Sequence, residues 1–166
     1  FYWDKGSRSG EVALKLFNGY QGALQTDGYE RYELLDGKKG VILLSCWAHA
    51  RRKFSDAIKN DRERAESALE QIQLLYEVER QIKDQALCFE EAAKLRVRLA
   101  YPIMVRFEKW LVAEHAKVIK GSPIEKAILY TYNRFNKLSR YHLDGRYNID
   151  NNGIENAARP VAVGRK

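Results

Sequence analysis

Residues 41–47 read VILLSCW, an apolar run broken by one serine and preceded by the turn sequence Gly37-Lys38-Lys39-Gly40. A run of this length without polar alternation fits a strand covered on both faces, the habit of parallel sheets flanked by helices. Upstream, Ala23-Leu24-Gln25-Thr26 is a second short strand candidate ending at Asp27-Gly28, and Phe1-Tyr2-Trp3 reads as the end of a third. Between those two, a polar turn over residues 6–10 leads to a short helix carrying Val12, Leu14, Leu16 and Phe17, with Ser9 as its N-cap. Strand, helix, strand, turn and strand in succession predict an α/β core.

The middle of the chain follows a different period. From Ala48 to about Ala86, the residues Ala65, Leu69, Ile72, Leu75, Tyr76 and Ile82 recur at three- and four-residue steps, the spacing of a helix face. A second helical stretch runs from about Phe89 to Ile119, and Pro102 predicts a break or kink near its centre. Ser122-Pro123-Ile124-Glu125 combines an N-cap serine, a first-turn proline and a capping-box glutamate, so a helix starts there. Ile124, Ala127, Ile128, Phe135 and Leu138 give it an apolar face. Leu143-Asp144-Gly145-Arg146 is a turn, and Asp150 or Asn151 can cap a last helix over NNGIENAARP. The expected plan is an α/β core at residues 1–53, an all-helical insertion at 54–143, and a return to the core at 144–166.

A hydrophobic content of 45% over 166 residues supports one folded domain carrying an insertion. The formal charge of +7 favours a polyanionic partner, without excluding others. Cys46 and Cys88 are far apart and form no CxxC pattern, which argues against a disulfide scaffold and suits a reducing cytoplasm. No apolar run approaches the roughly 20 residues of a membrane span, and the first residues, FYWDKGSRSG, lack the pattern of a signal peptide. With no initiator methionine and no obvious stop after Val163-Gly164-Arg165-Lys166, the expectation is a fragment of a longer protein.

Three stretches carry candidate chemistry. Asp27 closes a strand, where ligand-handling side chains of open α/β sheets collect, although Asp27-Gly28 is also an ordinary turn. Glu155 stands in the first turn of the final helix with Arg159 one turn on, an arrangement that the helix dipole and an ion pair can also explain. The cluster CWAHARRKF, residues 46–54, offers Arg51, Arg52 and Lys53 for phosphate contact with His49 near the reacting centre, and reads equally as a buried cysteine, a core tryptophan and a solvated basic helix start. Cys46 and His49 amount to half a zinc site, but Cys88, His115 and His142 show no ligand spacing to complete it. The tyrosines, Tyr29, Tyr32, Tyr130, Tyr132, Tyr141 and Tyr147 among them, stack on bases in some proteins and line core edges in more.

In their order and context, LQTDGYERY, CWAHARRKF and NNGIENAARPVAVGRK resemble the DDE-type catalytic domain of the transposases of the insertion sequence 66 family. The likeness spans essentially the whole chain, closest in these stretches and looser in the helical middle. It implies a ribonuclease H-like core, here partial with its first strands missing, and a large all-helical insertion between the last core strand and the Glu-bearing helix. By the same resemblance Asp27 matches the second acid of the catalytic triad and Glu155 the third. Both would ligate metal, two Mg²⁺ (or Mn²⁺) ions in the complete site. His49, Asn152 and Arg159 would support the acids or touch DNA.

The first acid of the family lies upstream of the strand with which this chain opens, and Asp4 does not take its place. The fragment is therefore expected to be inactive by itself. The implied activity is metal-dependent cleavage and strand transfer of DNA, in a full-length protein that forms homo-oligomers. Two other readings stand beside it: a non-enzymatic basic helical module binding DNA or protein, and a metal-dependent nuclease sharing the site.

Overall fold

In the computed structural model, residues 10–27 and 30–153 are described. Strands β1 (Gly22–Thr26) and β2 (Val41–Ser45) form a parallel pair in which Gly22 faces Val41 and Thr26 faces Ser45. Helix α1 (Gly10–Leu16) precedes β1, and a 3-10 helix at Glu30–Leu35 lies in the crossover to β2. Gly40, with φ +86°, turns the chain into β2 in a conformation that L side chains rarely adopt, and its carbonyl accepts the Gly22 N–H at 2.8 Å. Leu43, Leu44 and Ser45 are buried as expected of a covered strand, whereas Ile42 is 41% exposed. Cover by the described helices is concentrated at the C-terminal half of β2. The third strand expected at residues 1–3 and the Ser9 cap lie outside the described residues.

The rest of the described chain is helical, so the fold is α/β with a small parallel sheet and a dominant helical part. Helix α2 (Trp47–Ala57) leaves β2 directly, and α3 (Arg62–Asp84) follows after a break that the periodicity did not reveal. Asp61 makes that break by capping α3, its Oδ1 accepting the Arg64 N–H at 3.2 Å. Ala65, Ile72 and Leu75 of α3 are fully buried, and Leu69, Tyr76 and Ile82 pack partly buried beside them.

The expected break at Pro102 takes an unexpected form. Helix α4 (Phe89–Leu95) widens into a π turn at Arg96–Ala100 and continues as α5 (Tyr101–His115). The Tyr101 N–H reaches back to Arg96 O, five residues away, so the wider turn admits the proline ring without ending the helix. Arg96, 3% exposed, forks onto both Glu79 oxygens at 2.9 and 2.7 Å and donates to the Tyr141 and Asp144 carbonyls. The buried charge is thus fully partnered, as its desolvation requires.

Helix α6 (Pro123–Asn133) starts where the sequence places it, with Ser122 Oγ accepting the Glu125 N–H at 3.2 Å. Glu125 closes the cap on Gly121 N–H at 2.8 Å in place of Ser122 N–H. A break at Arg134 separates α7 (Phe135–Ser139), so the expected apolar face is shared by two helices, and a 3-10 turn follows at Arg140–Leu143. Lys137 pairs with Glu33 and with Asp36, and Arg140 binds Asp36 at 3.1 Å and Leu43 O at 2.9 Å, clamping the crossover to α7 and both the crossover and β2 to the 3-10 turn. Burial pushes the Asp36 carboxyl up, but hydrogen bonds from Arg140 and Lys137 outweigh it and hold it below the ordinary range.

One apolar cluster joins Leu44 of β2 to Trp47 and Phe54 of α2, Ile72 of α3, Phe107 of α5, Ile128 of α6, Leu138 of α7 and Ile149. No helix among the described residues is long and apolar enough to cross a membrane.

Gly145 sits in the expected turn for a reason other than turn conformation. A Cβ there would stand 1.8 Å from the Phe89 carbonyl oxygen, so the backbones at the start of α4 and at this turn touch directly. Gly145→Ala is expected to destabilise the protein by about 2–3 kcal/mol, read as a lower denaturation midpoint in urea. A midpoint equal to that of the parent chain would show the contact to be dispensable.

Candidate active site

Parallel pairing brings the C-terminal ends of both strands to one edge. Since Thr26 faces Ser45, Asp27 and Cys46 are the next residues on that edge. The returning segment crosses it. Gln25 Nε2 donates to Asn148 O at 3.0 Å, and the Trp47 N–H donates to Ile149 O at 3.1 Å. Cys46 is buried, and burial pushes its thiol up although backbone N–H groups of Asn151, His49 and Ala48 act in the opposite sense. Residues 148–151 are thereby fastened across the strand ends immediately before Asn152 and Gly153, which are helical.

Asp150 organises that helix start. Its Oδ1 accepts the Asn152 N–H at 3.0 Å, the capping role expected of Asp150 or Asn151. Its Oδ2 accepts the Tyr76 hydroxyl at 2.8 Å and Asn152 Nδ2 at 2.9 Å. Burial, followed by the Asp150 carboxylate, raises the Tyr76 phenol far above its ordinary value, so the hydroxyl remains a donor. Sequence reasoning took Tyr76 as a helix-face residue and missed this contact. The available signal was its type: a tyrosine on a core-facing stripe needs a partner for its hydroxyl.

Asp27 is exposed, and its main-chain carbonyl accepts the Tyr130 hydroxyl of α6 at 3.1 Å. Two cations lie over the Tyr130 ring, Lys53 Nζ at 5.5 Å and the Arg134 guanidinium at 4.3 Å from its centroid. The sequence singled out Tyr130 among the tyrosines, but nothing in it linked Tyr130 or Arg134 to Asp27. Glu155 and Arg159 lie outside the described residues, as do Gly28 and Tyr29. Asn152 is exposed and spends its side-chain amide on Asp150. His49 is half-buried in the first turn of α2.

Arg51, Arg52 and Lys53 are all exposed in the second turn of α2, beyond the first turn where the helix dipole would oppose them. They do not form one patch. Positions two apart on a helix are separated by about 200°, and α2 packs against both α3 and α6. Lys53 leans toward α6 and Tyr130, while Arg51 faces α3 in a cleft of about 190 Å³ lined also by Ala48, Gln73, Tyr76, Arg80 and Asn152.

The sulfur and imidazole donors considered for zinc are not brought together. Cys46 is buried at the strand end, Cys88 is exposed at the start of α4, His115 stands 3.6 Å from Glu125, and the His142 ring lies tilted against Tyr101. Among the described residues no group of three or more His, Cys, Asp or Glu is placed to hold a metal ion.

A family profile described as "Transposase IS66 family" matches residues 1–166. The chain is 34% identical over 182 residues to the uncharacterized protein y4hP of Sinorhizobium fredii, covering 99% of this chain and 33% of that protein. It is 32% identical over 169 residues to y4jD of the same organism, covering 96% of this chain and 32% of the relative. A third relative there, y4qI, is 31% identical over 174 residues. The chain thus spans about a third of the length of these relatives. No solved structure matches it. With a family match over its whole length, the chain belongs to the IS66 family of transposases.

Proposed function

We propose that this chain is part of the catalytic domain of a DDE transposase, with a partial ribonuclease H-like core, that cleaves DNA and joins strands using divalent metal. The observation that carries the reading is the fastening of residues 148–151 across the C-terminal ends of β1 and β2, the edge at which Asp27 follows β1. Glu155 follows Gly153 by two peptide units, a reach of at most about 7.6 Å between Cα atoms. The chain is thus fastened at that edge four residues before Glu155, which supports a shared site for the two acids.

Asp27 suits a hard cation, being an exposed carboxylate at a strand end whose backbone is fixed by Tyr130. Asp27 and Glu155 would hold Mg²⁺ or Mn²⁺ together with a first acid supplied from upstream. When bound, such ions favour formation of the attacking oxygen and stabilise the leaving oxygen of an in-line displacement at phosphorus. The chain's own groups position the acids and meet the DNA backbone: Tyr130 at Asp27, Tyr76 through Asp150 at the final helix start, and exposed Arg51, Arg52 and Lys53. His49, Asn152 and Arg159 are proposed as supporting residues. The proposed division is topological: residues 54–143 are a helical insertion, and 1–53 and 144–166 belong to the sheet side.

The exposed cations equally suit the second reading, a DNA-binding module without chemistry, and one experiment separates the two. In a protein carrying this chain with enough upstream sequence to include the first acid, Asp27→Asn or Glu155→Gln should lower Mg²⁺-dependent DNA cleavage by roughly 1,000-fold or more while DNA affinity is kept. Unchanged cleavage would remove both acids from the mechanism and favour the module.

Tyr76→Phe should lower cleavage at saturating DNA while leaving the dissociation constant for DNA nearly unchanged. It should also cost about 1–2 kcal/mol of stability by unpairing one side of Asp150. A loss of stability with full cleavage activity would mean that the hydroxyl supports only the fold.

A further inference from the structure

The cleft between α2 and α3 assembles polar groups from three separate parts of the chain: Arg51 from α2, Gln73, Tyr76 and Arg80 from α3, and Asn152 from the returning segment. Among the described residues no acid lines it, and the acids bonded to its lining residues are engaged. Asp150 receives hydrogen bonds from Tyr76 and Asn152, and Glu77 pairs with Arg80. The Arg80–Glu77 pair is open to solvent, with side chains 52% and 49% exposed. A pair so exposed contributes little and exchanges readily for a stronger anion. Arg51 is exposed. Two guanidinium groups, with a neutral amide between the helices, face one concavity beside the strand-end edge.

We propose that this cleft is a binding site for the phosphodiester backbone of DNA, in which α3 supplies Arg80 and Gln73 to a track that Arg51 begins on α2. This rests on the DNA-processing reading above and assigns to the helical insertion a direct share in holding the substrate. Guanidinium groups suit the role because their planar forks match phosphate oxygens and stay charged at all working pH values. On encountering DNA, Arg80 exchanges Glu77 for a phosphate, and Gln73 donates its amide N–H to a phosphate or sugar oxygen. Lys53, turned toward Tyr130 and Asp27, lies on the other side of α2, so the strand is held on both flanks of that helix.

The test uses the purified chain, a fluorescein-labelled random-sequence DNA duplex and anisotropy in EDTA over a series of salt concentrations, so that no catalysis contributes. Arg80→Ala should weaken binding roughly three- to tenfold and reduce the slope of log affinity against log salt by about 1. Arg62→Ala is the matched control. It removes an exposed arginine paired with Glu66 from the same helix, about 27 Å along the axis from Arg80, and should change neither quantity appreciably. Glu77→Gln should tighten binding, and that gain should disappear in an Arg80→Ala background, since the two residues act as a unit. Binding and slope unchanged by Arg80→Ala, an equal loss from Arg62→Ala, or a gain from Glu77→Gln that survives without Arg80 would each overturn the cleft as a phosphate site. Failure of the parent chain to bind DNA at any salt concentration would overturn the DNA-processing reading itself, and the cleft proposal with it.

Discussion

Trp47 is the residue on which the arrangement turns. It is fully buried where β2 becomes α2, and it makes two hydrogen bonds to distant segments: its backbone N–H to Ile149 O, and its indole N–H to Leu138 O at 2.9 Å. Its ring stacks near Phe107 of α5 and meets Phe135 of α7 edge-on, with centroids 6.1 Å away in both cases. One residue, through its backbone and its side chain, thus joins the strand end, the helical layer and the returning segment. A buried indole N–H left without an acceptor would be costly, so Leu138 O and the ring contacts specify together how α7 lies against β2.

Parallel pairing supplies the second constraint. Two adjacent parallel strands present their C-terminal ends at the same edge, and a carboxylate placed just after one of them stands there whatever the helices do. Gathering a second carboxylate from far along the chain requires the intervening residues to return to that edge. Here the return is secured by main-chain and side-chain bonds at Asn148, Ile149 and Asp150, made by Gln25, Trp47 and Tyr76. Each partner comes from a different element, so the segment is fixed by the tertiary fold more than by its own turn chemistry.

What the sequence revealed and what it hid follow the range of the interactions. Strands β1 and β2, the Ser122 cap and the core faces of α3 and α6 depend on local period and local capping, and these are legible in the sequence. The break at residues 58–61 is local too, but Asn60 and Asp61 interrupt an apolar period too briefly to stand out against it. Pro102 reads as a breaker because its clash is local. The π turn that absorbs it is anchored by Arg96 on Glu79 and on the carbonyls of Tyr141 and Asp144, partners that no window of sequence includes. Gly145 was read correctly as a turn residue, yet its need for a bare Cα comes from Phe89 on another element. The three cations of α2 are consecutive in sequence, and helical geometry sets Lys53 toward α6 and Arg51 toward α3, a divergence that the one-dimensional sequence does not display.

The helical part is therefore more than a spacer between the strand pair and the returning segment. Its residues share one apolar cluster with Leu44 and Ile149, so the stability of the sheet edge and that of the helices are coupled through common contacts. Helix α3 illustrates the consequence. Its stripe of Ala65, Ala68, Ile72, Leu75 and Val78 fixes its rotation against the core. That rotation in turn brings Tyr76, at the margin of the stripe, against Asp150, and leaves Arg80 one turn further on at the mouth of the adjoining cleft. A shift of the buried stripe by one residue would turn both side chains about 100° away from the strand-end edge. Packing in the helical core and polar geometry at the candidate site are consequently set by the same rotational choice, and neither can vary freely without the other.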